Sequence, residues 1–465
     1  MSTQVTSLEV AVKHLQRSLT SGQLSMIAIG GAIGTGLFLG SAFAIRLAGP
    51  SVLVSYTIAA LIALLLMGCL AEMTVAHPIS GSFGAFAGHY LGPLAGFLVR
   101  YCYWSGTVLG VGTEVTAVAV YMRLWFPSIP GLLWILLFAS ALVAINVLQV
   151  GVYGSLEYAF SLIKILAIIG FLLLAGAILL FSPHSSDMGL HLYTVNGGFF
   201  PLGMRGMWAA VLVAIFSYFG VEMIAVAAGE ARDPRRAITR AFRSTAIRLI
   251  LFYLLTLAVM LAIVPWNLAG TSTSPFVRVM QVSHIRYAAG ILNLVVLIAA
   301  LSAMNSQLYI TSRMMFSLAR AGYAPAFLGR LTRSGVPVPA LFASSAGVAV
   351  AAVLYTLYST AAFTLIFSIA TFGALFAWLM VFITHLSFRR RHVFTKGDFK
   401  MFGAPWTTLL GAASLVAVMI TSIFTPGFRS MLLYGIPFLA LLTLLYWLRA
   451  PKTRPDADLS EEMTA

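Results

Sequence analysis

The chain has 465 residues, 60% hydrophobic and 9% charged, with 28 lysines and arginines against 13 acidic residues and a mean hydropathy of +0.97. A water-soluble domain carries about 25% charged residues, so this composition excludes a solvated enzyme or binding module and places most of the chain in lipid. Only two cysteines occur, Cys69 and Cys102; they offer neither a disulfide framework nor a ligand spacing, so no disulfide-linked subunit and no metal site is expected.

Residues 1–23 are polar and lack the basic-then-apolar layout of a cleaved leader, so they read as a segment ahead of the first span. Apolar runs of roughly 20 residues, enough to cross a bilayer, follow near 24–47, 51–75, 92–121, 131–149, 157–181, 206–230, 242–264, 287–312, 339–358, 362–388, 405–424 and 430–449. The expected fold class is an all-α polytopic membrane protein with about twelve transmembrane helices. Residues 24–181 and 206–388 each hold five spans. An odd number per block inserts the second block upside down relative to the first, which is the arithmetic of an inverted repeat. The last two spans, 405–449, stand outside the repeat, and 450–465 form a charged tail.

Between spans, His77-Pro78-Ile79-Ser80-Gly81-Ser82-Phe83-Gly84 holds too many turn formers for a continuous helix, and the polar stretches 182–205 and 265–284 are long enough to cover a pathway. Of the 28 basic residues, 20 fall on one set of alternate loops and ends, among them Arg313, Arg320 and Arg389 to Arg391, and 6 on the other; Arg100 and Lys164 lie inside spans. The positive-inside rule then places both termini in the cytoplasm. The basic excess is topology, and no nucleic-acid partner is expected.

Two glycine-interrupted spans carry most of the functional information. They contain Ile29-Gly30-Gly31-Ala32-Ile33-Gly34-Thr35-Gly36 and Phe216-Ser217-Tyr218-Phe219-Gly220-Val221-Glu222, and each opens one block. A glycine in a helix costs about 1 kcal/mol against alanine, and unwound backbone at membrane depth is tolerated only where it is buried in protein or lines a cavity. A glycine-rich helix–helix contact is the plainer reading, and Gly30 and Gly34 fit its spacing. The glycines run around the helix, however, and a second break matches the first, which points to the site of a secondary transporter. Freed N–H groups suit a carboxylate and freed carbonyls an ammonium; a zwitterion satisfies both.

Charged residues deep in lipid are functional candidates by default. Lys164 lies in the fifth span, as a proton switch or as a fixed cation pinning helices together. Glu222 follows the second break and either relays a proton or ties the broken helix to a neighbour. Glu114, in the middle of the third span, has a weaker claim. Arg100, early in that span, is expected to snorkel toward water. Glu72 and Glu230, near helix ends, fit salt bridges better than proton work, and His385 reads as a solvated helix end. No metalloprotease, nucleophile-elbow or phosphate-loop motif occurs, so the chain is not expected to be an enzyme and no cofactor is expected.

The residues then resemble a known family. The stretch Met26 to Gly40, the run Ala228-Gly229-Glu230-Ala231-Arg232-Asp233-Pro234-Arg235-Arg236-Ala237-Ile238, and the segments Asn305-Ser306-Gln307-Leu308-Tyr309 and Gly335-Val336-Pro337-Val338-Pro339 are similar to bacterial amino acid permeases of the amino acid–polyamine–organocation superfamily. The likeness runs from about residue 17 to about 450. It implies a LeuT-type five-plus-five inverted repeat with two additional helices, and an amino acid importer of the inner membrane working by alternating access. On this likeness the substrate carboxylate meets amides around Ile33, Gly34, Thr35 and Gly36, and its amino group meets carbonyls near Ala28, Ile29, Phe216 and Ser217. Lys164 matches the lysine that stands where sodium-coupled relatives hold a cation, which implies coupling to protons. Glu222 matches a glutamate common to members of differing specificity. Phe219 stands where many relatives have glycine; facing the pocket, it would favour small or slender neutral substrates. Tyr218 is the candidate aromatic gate. An amino acid exchanger, with Lys164 permanently charged, is the alternative within transport, and a non-transporting amino acid sensor the alternative outside it.

Overall fold

The computed structural model describes residues 22–23, 26, 33–77, 79, 82–148, 150–181, 188–227, 251–270, 274–282, 287–358, 362–394, 399–425 and 427–449. Among these, every regular element is helical. A π-helical turn, Gly36–Gly40, leads into α1 (Ser41–Ala48), followed by α2 (Val52–Ala76), α3 (Ser82–Leu91), α4 (Pro93–Met122), α5 (Gly131–Val147) and α6 (Val150–Phe181). The second half contains α7 (Gly203–Ser217), α8 (Met223–Ala227), α9 (Thr256–Ile263), α10 (Trp266–Ala269), α11 (Pro275–Val282), α12 (Ala288–Arg320), α13 (Val338–Ser344), α14 (Ala346–Tyr358) and α15 (Ala362–Arg391). Two further helices, α16 (Trp406–Thr421) and α17 (Arg429–Arg449), close the chain.

Among the described residues, seven continuous helical stretches are long and apolar enough to cross a membrane, and α5, α7 and Leu251–Ile263 are shorter apolar helices. One of the seven, Gly36–Ala76, holds two spans, because the chain reverses at Gly49. Its φ of +60° suits glycine, and a Cβ there would lie 2.3 Å from Pro201, so torsion and space both demand a residue without a side chain. Helix α4, 30 residues long, packs against α3, α12, α14 and α15. Its backbone meets α15 directly: a Cβ on Gly373 would stand 2.2 Å from the Cys102 carbonyl. Small residues thus bring two spans together where lipid supplies no hydrophobic drive.

Several boundaries differ from expectation. Helix α6 starts at Val150 rather than near 157, and α12 runs on to Arg320. Arg313, counted among loop cations, is therefore inside a helix and buried, its guanidinium 3.6 Å from the Tyr309 ring centroid. Stacking on the aromatic face offsets its desolvation. Arg389, Arg390 and Arg391 close the last turn of α15, where cations complement the helix dipole. The turn formers after His77 do interrupt the helix, but α3 then forms a separate ten-residue helix, divided from α4 at Gly92, φ +117°.

Arg100 does not snorkel. It is 1% exposed and lies against Gly84, Gly88 and Gly96, whose missing side chains make room for it. His385 is likewise no solvated end: fully buried, it places Nε2 3.4 Å from Glu72 and Nδ1 3.0 Å from Thr408 Oγ1. Glu72 accepts two bonds from Arg389, at 2.7 and 2.9 Å, joining α2 to α15 in the kind of salt bridge expected of it. Both cysteines are buried, and Cys69 Sγ sits 3.3 Å from Met401 Sδ.

Candidate functional site

The two broken spans meet. In the first, Ile33 and Gly34 form a bend ahead of the π turn; in the second, α7 ends at Ser217 and Tyr218 to Glu222 form a turn before α8. Gly220 holds φ at +103°, a torsion that L side chains rarely adopt. A Cβ on Gly36 would lie 2.7 Å from Ser217 Cα, so the chains touch backbone to backbone. Ser217 Oγ donates to the Gly36 carbonyl at 2.8 Å and accepts from Tyr56 OH at 2.9 Å, while Tyr253 OH donates to the Ser217 carbonyl at 2.6 Å.

Lys164 is fully buried, and its Nζ reaches the first break, donating to the Ile33 carbonyl at 3.1 Å and to Ser302 Oγ at 2.7 Å. Glu157 stands 4.0 Å from Nζ. It accepts from Ser302 Oγ and, at 3.1 Å, from Asn305 Nδ2. A buried cation is thus neutralised by a carboxylate two turns earlier on the same helix face, as charges in a low-dielectric interior require. Glu114 reaches the same break from α4: Oε2 accepts the Thr35 amide at 3.4 Å, and a Cβ on Gly34 would press on its carboxylate at 3.0 Å. The Thr35 hydroxyl is buried beside the same carboxylate.

Glu222 closes the second break on itself, accepting from the Gly220 amide at 3.1 Å and from Tyr103 OH at 3.0 Å. Between the breaks, α4, α12 and α15 lies a cavity of about 510 Å³ of empty space, its mouth included. Gly36, Glu114, Phe216, Phe219, Glu222 and Gln307 are among its walls. Phe219 faces this cavity, with its ring packed on Phe216 and Trp378 at centroid distances of 5.4 and 5.0 Å. Tyr218 turns the other way, into a buried cluster with Tyr56 and Tyr253, so it packs beside the cavity and is not among its lining residues.

Of the residues singled out in the sequence, Ile33, Gly34, Thr35, Gly36, Glu114 and Lys164 gather at the first break, and Phe216, Ser217, Phe219 and Glu222 at the second. Ala28, Ile29 and Glu230 lie outside the described residues. The Ser217 carbonyl, expected to meet an amino group, is already engaged by Tyr253. Glu157, Ser302 and Asn305 were missed. The spacing of seven between Glu157 and Lys164 is the signal that places both on one face.

Residues 23–454 match the amino acid permease family. The chain belongs to that family. It is 38% identical over 440 residues to YtnA of Bacillus subtilis, described as an uncharacterized amino acid permease, covering 93% of this chain and 95% of that protein. It is 38% identical to the aromatic amino acid transport protein AroP of Salmonella typhimurium over 418 residues, 89% and 91% of the two chains. It is 34% identical to the probable threonine/serine transporter YbxG of Bacillus subtilis over 461 residues, 98% and 100% of the two. The protein is thus a multi-pass membrane permease, not an enzyme.

Proposed function

We propose that this permease imports a small or slender neutral amino acid across the inner membrane by proton symport, with both termini in the cytoplasm and the two five-helix blocks moving as inverted repeats. The observation that carries this reading is the Lys164 ammonium bound to the Ile33 carbonyl of the broken first span. While it holds its proton, the lysine ties that span to α6 and α12; once it releases the proton, the carbonyl loses a charged donor and the tie weakens. Moving a proton at Nζ and moving the first span are then one event. Phe219 narrows the cavity wall and supports a slender side chain, whereas the similar proteins named above are described for aromatic and for hydroxyl-bearing substrates.

Uptake of labelled amino acids by purified protein in proteoliposomes, with and without an inward proton gradient, tests the reading. Accumulation that requires the gradient for one chemical subset is the expected outcome. One observation favours a second reading: Glu157, 4.0 Å from Nζ, stabilises a permanently charged lysine, as in an exchanger. Uptake seen only in vesicles preloaded with amino acid would select it.

A further inference from the structure

Gln307 lines the cavity from α12, and its side-chain oxygen is buried without a hydrogen-bond partner. A Cβ on Gly110 would lie 3.1 Å from that oxygen, so the carboxamide rests against bare backbone of α4 where any larger residue would press on it. Several other polar groups on these walls are engaged: Glu114 with the Thr35 amide, Glu222 with Gly220 and Tyr103, and Ser217 with Gly36. A buried acceptor left unpaired is costly, and in a cavity wall the missing donor can come from a ligand.

The place of the orphan says which part of the ligand supplies it. Glu114 marks the first break, and Gly110 lies one turn away along α4, about 6 Å at 1.5 Å per residue. Gln307 therefore faces the cavity one turn away from the break where a main-chain carboxylate is expected, against the space left for the substrate's side chain. Resting on the transport reading above, we propose that Gln307 is a specificity-determining residue that pairs with a side-chain hydroxyl or carboxamide, so that the substrates are small polar neutral amino acids. Apolar isosteres fill the same space but leave the Gln307 oxygen unpaired. A site built around such a hydrogen bond rejects the analogue that lacks it far more strongly than an apolar pocket rejects an extra methylene.

The test uses the full-length protein in proteoliposomes and the competition of matched pairs, threonine against valine and asparagine against leucine, for uptake of a labelled amino acid that the wild type accumulates. The wild type is expected to favour the polar member of each pair by about tenfold or more. Gln307→Met, which keeps the length and removes the amide, is expected to bring the ratio within about twofold of unity while valine still competes. A wild-type ratio near unity overturns the proposal, as does an unchanged ratio in Gln307→Met. If that variant does not fold, Gln307→Leu and ligand-induced thermal shifts of the wild type with the same pairs decide it by the same criterion. Transport confined to small aliphatic amino acids would overturn the role of Gln307 and leave the transport reading standing; transport of no amino acid at all would overturn both.

Discussion

The two helix breaks solve one problem in opposite ways. At the first, the freed backbone is held by ionisable groups from other spans: Lys164 takes the Ile33 carbonyl and Glu114 the Thr35 amide. At the second, the turn is held largely by its own residues, with Tyr253 and Tyr103 bonding the Ser217 carbonyl and Glu222 from other helices. The amides of Tyr218 and Phe219 bond back to Ile215 and Phe216, and Glu222 caps Gly220 two residues away. The first break is therefore set by side chains from other spans, and the second by a local turn capped by its own Glu222. On the proposed reading, motion coupled to proton transfer belongs to the first.

That contrast can be broken experimentally. Lys164→Ala should have the largest effect, because it leaves Glu157 buried without its cation, a loss of about 3–5 kcal/mol for a buried pair. Net uptake driven by a pH gradient should fall at least about 100-fold, and full retention with an unchanged pH profile would discard the switch. Glu114→Gln should follow, with uptake down about tenfold, since a neutral amide is a weaker acceptor for the Thr35 N–H than a carboxylate. At the second break, Glu222→Gln should cost a few-fold in gradient-driven uptake and less in substrate binding, because the amide oxygen can still accept one of its two bonds. Equal losses from Glu114→Gln and Glu222→Gln would dissolve the distinction. Phe219→Gly should alter which competitors are accepted, by a few-fold in favour of larger side chains, more than it alters the rate; an unchanged competition profile would remove Phe219 from the specificity wall. The smallest effect is expected of Tyr253→Phe, which deletes one bond to the Ser217 carbonyl worth about 1 kcal/mol, measurable as a modest drop in melting temperature.

Much of this was legible in the sequence because lipid leaves few options. Apolar length gave the spans, and glycine, clustered before Gly36 and single at Gly220, pointed to the two breaks. The depth of Lys164 in an apolar run announced its importance. What stayed hidden was direction. Nothing local tells that Phe219 enters the cavity while Tyr218 turns toward Tyr56 and Tyr253; a turn with Gly220 at φ +103° decides that. Arg100 looked like a snorkelling residue because the glycines that enclose it, Gly84 and Gly88, sit on a different helix. Glu157 was hidden by a helix start placed seven residues late. For Arg100 the missing information was a neighbour on another helix, for Phe219 a backbone torsion, and for Glu157 a helix boundary.

The two cysteines have a practical consequence. Cys69 and Cys102 are both fully buried, one against Met401 and Thr408, the other where α4 meets α15. A polar alkylating reagent added to the folded protein finds no native thiol within reach. The wild-type chain is thus already a silent background for labelling, and a single cysteine placed on the cavity wall would report, by its rate of modification, when and from which face of the membrane the pathway opens.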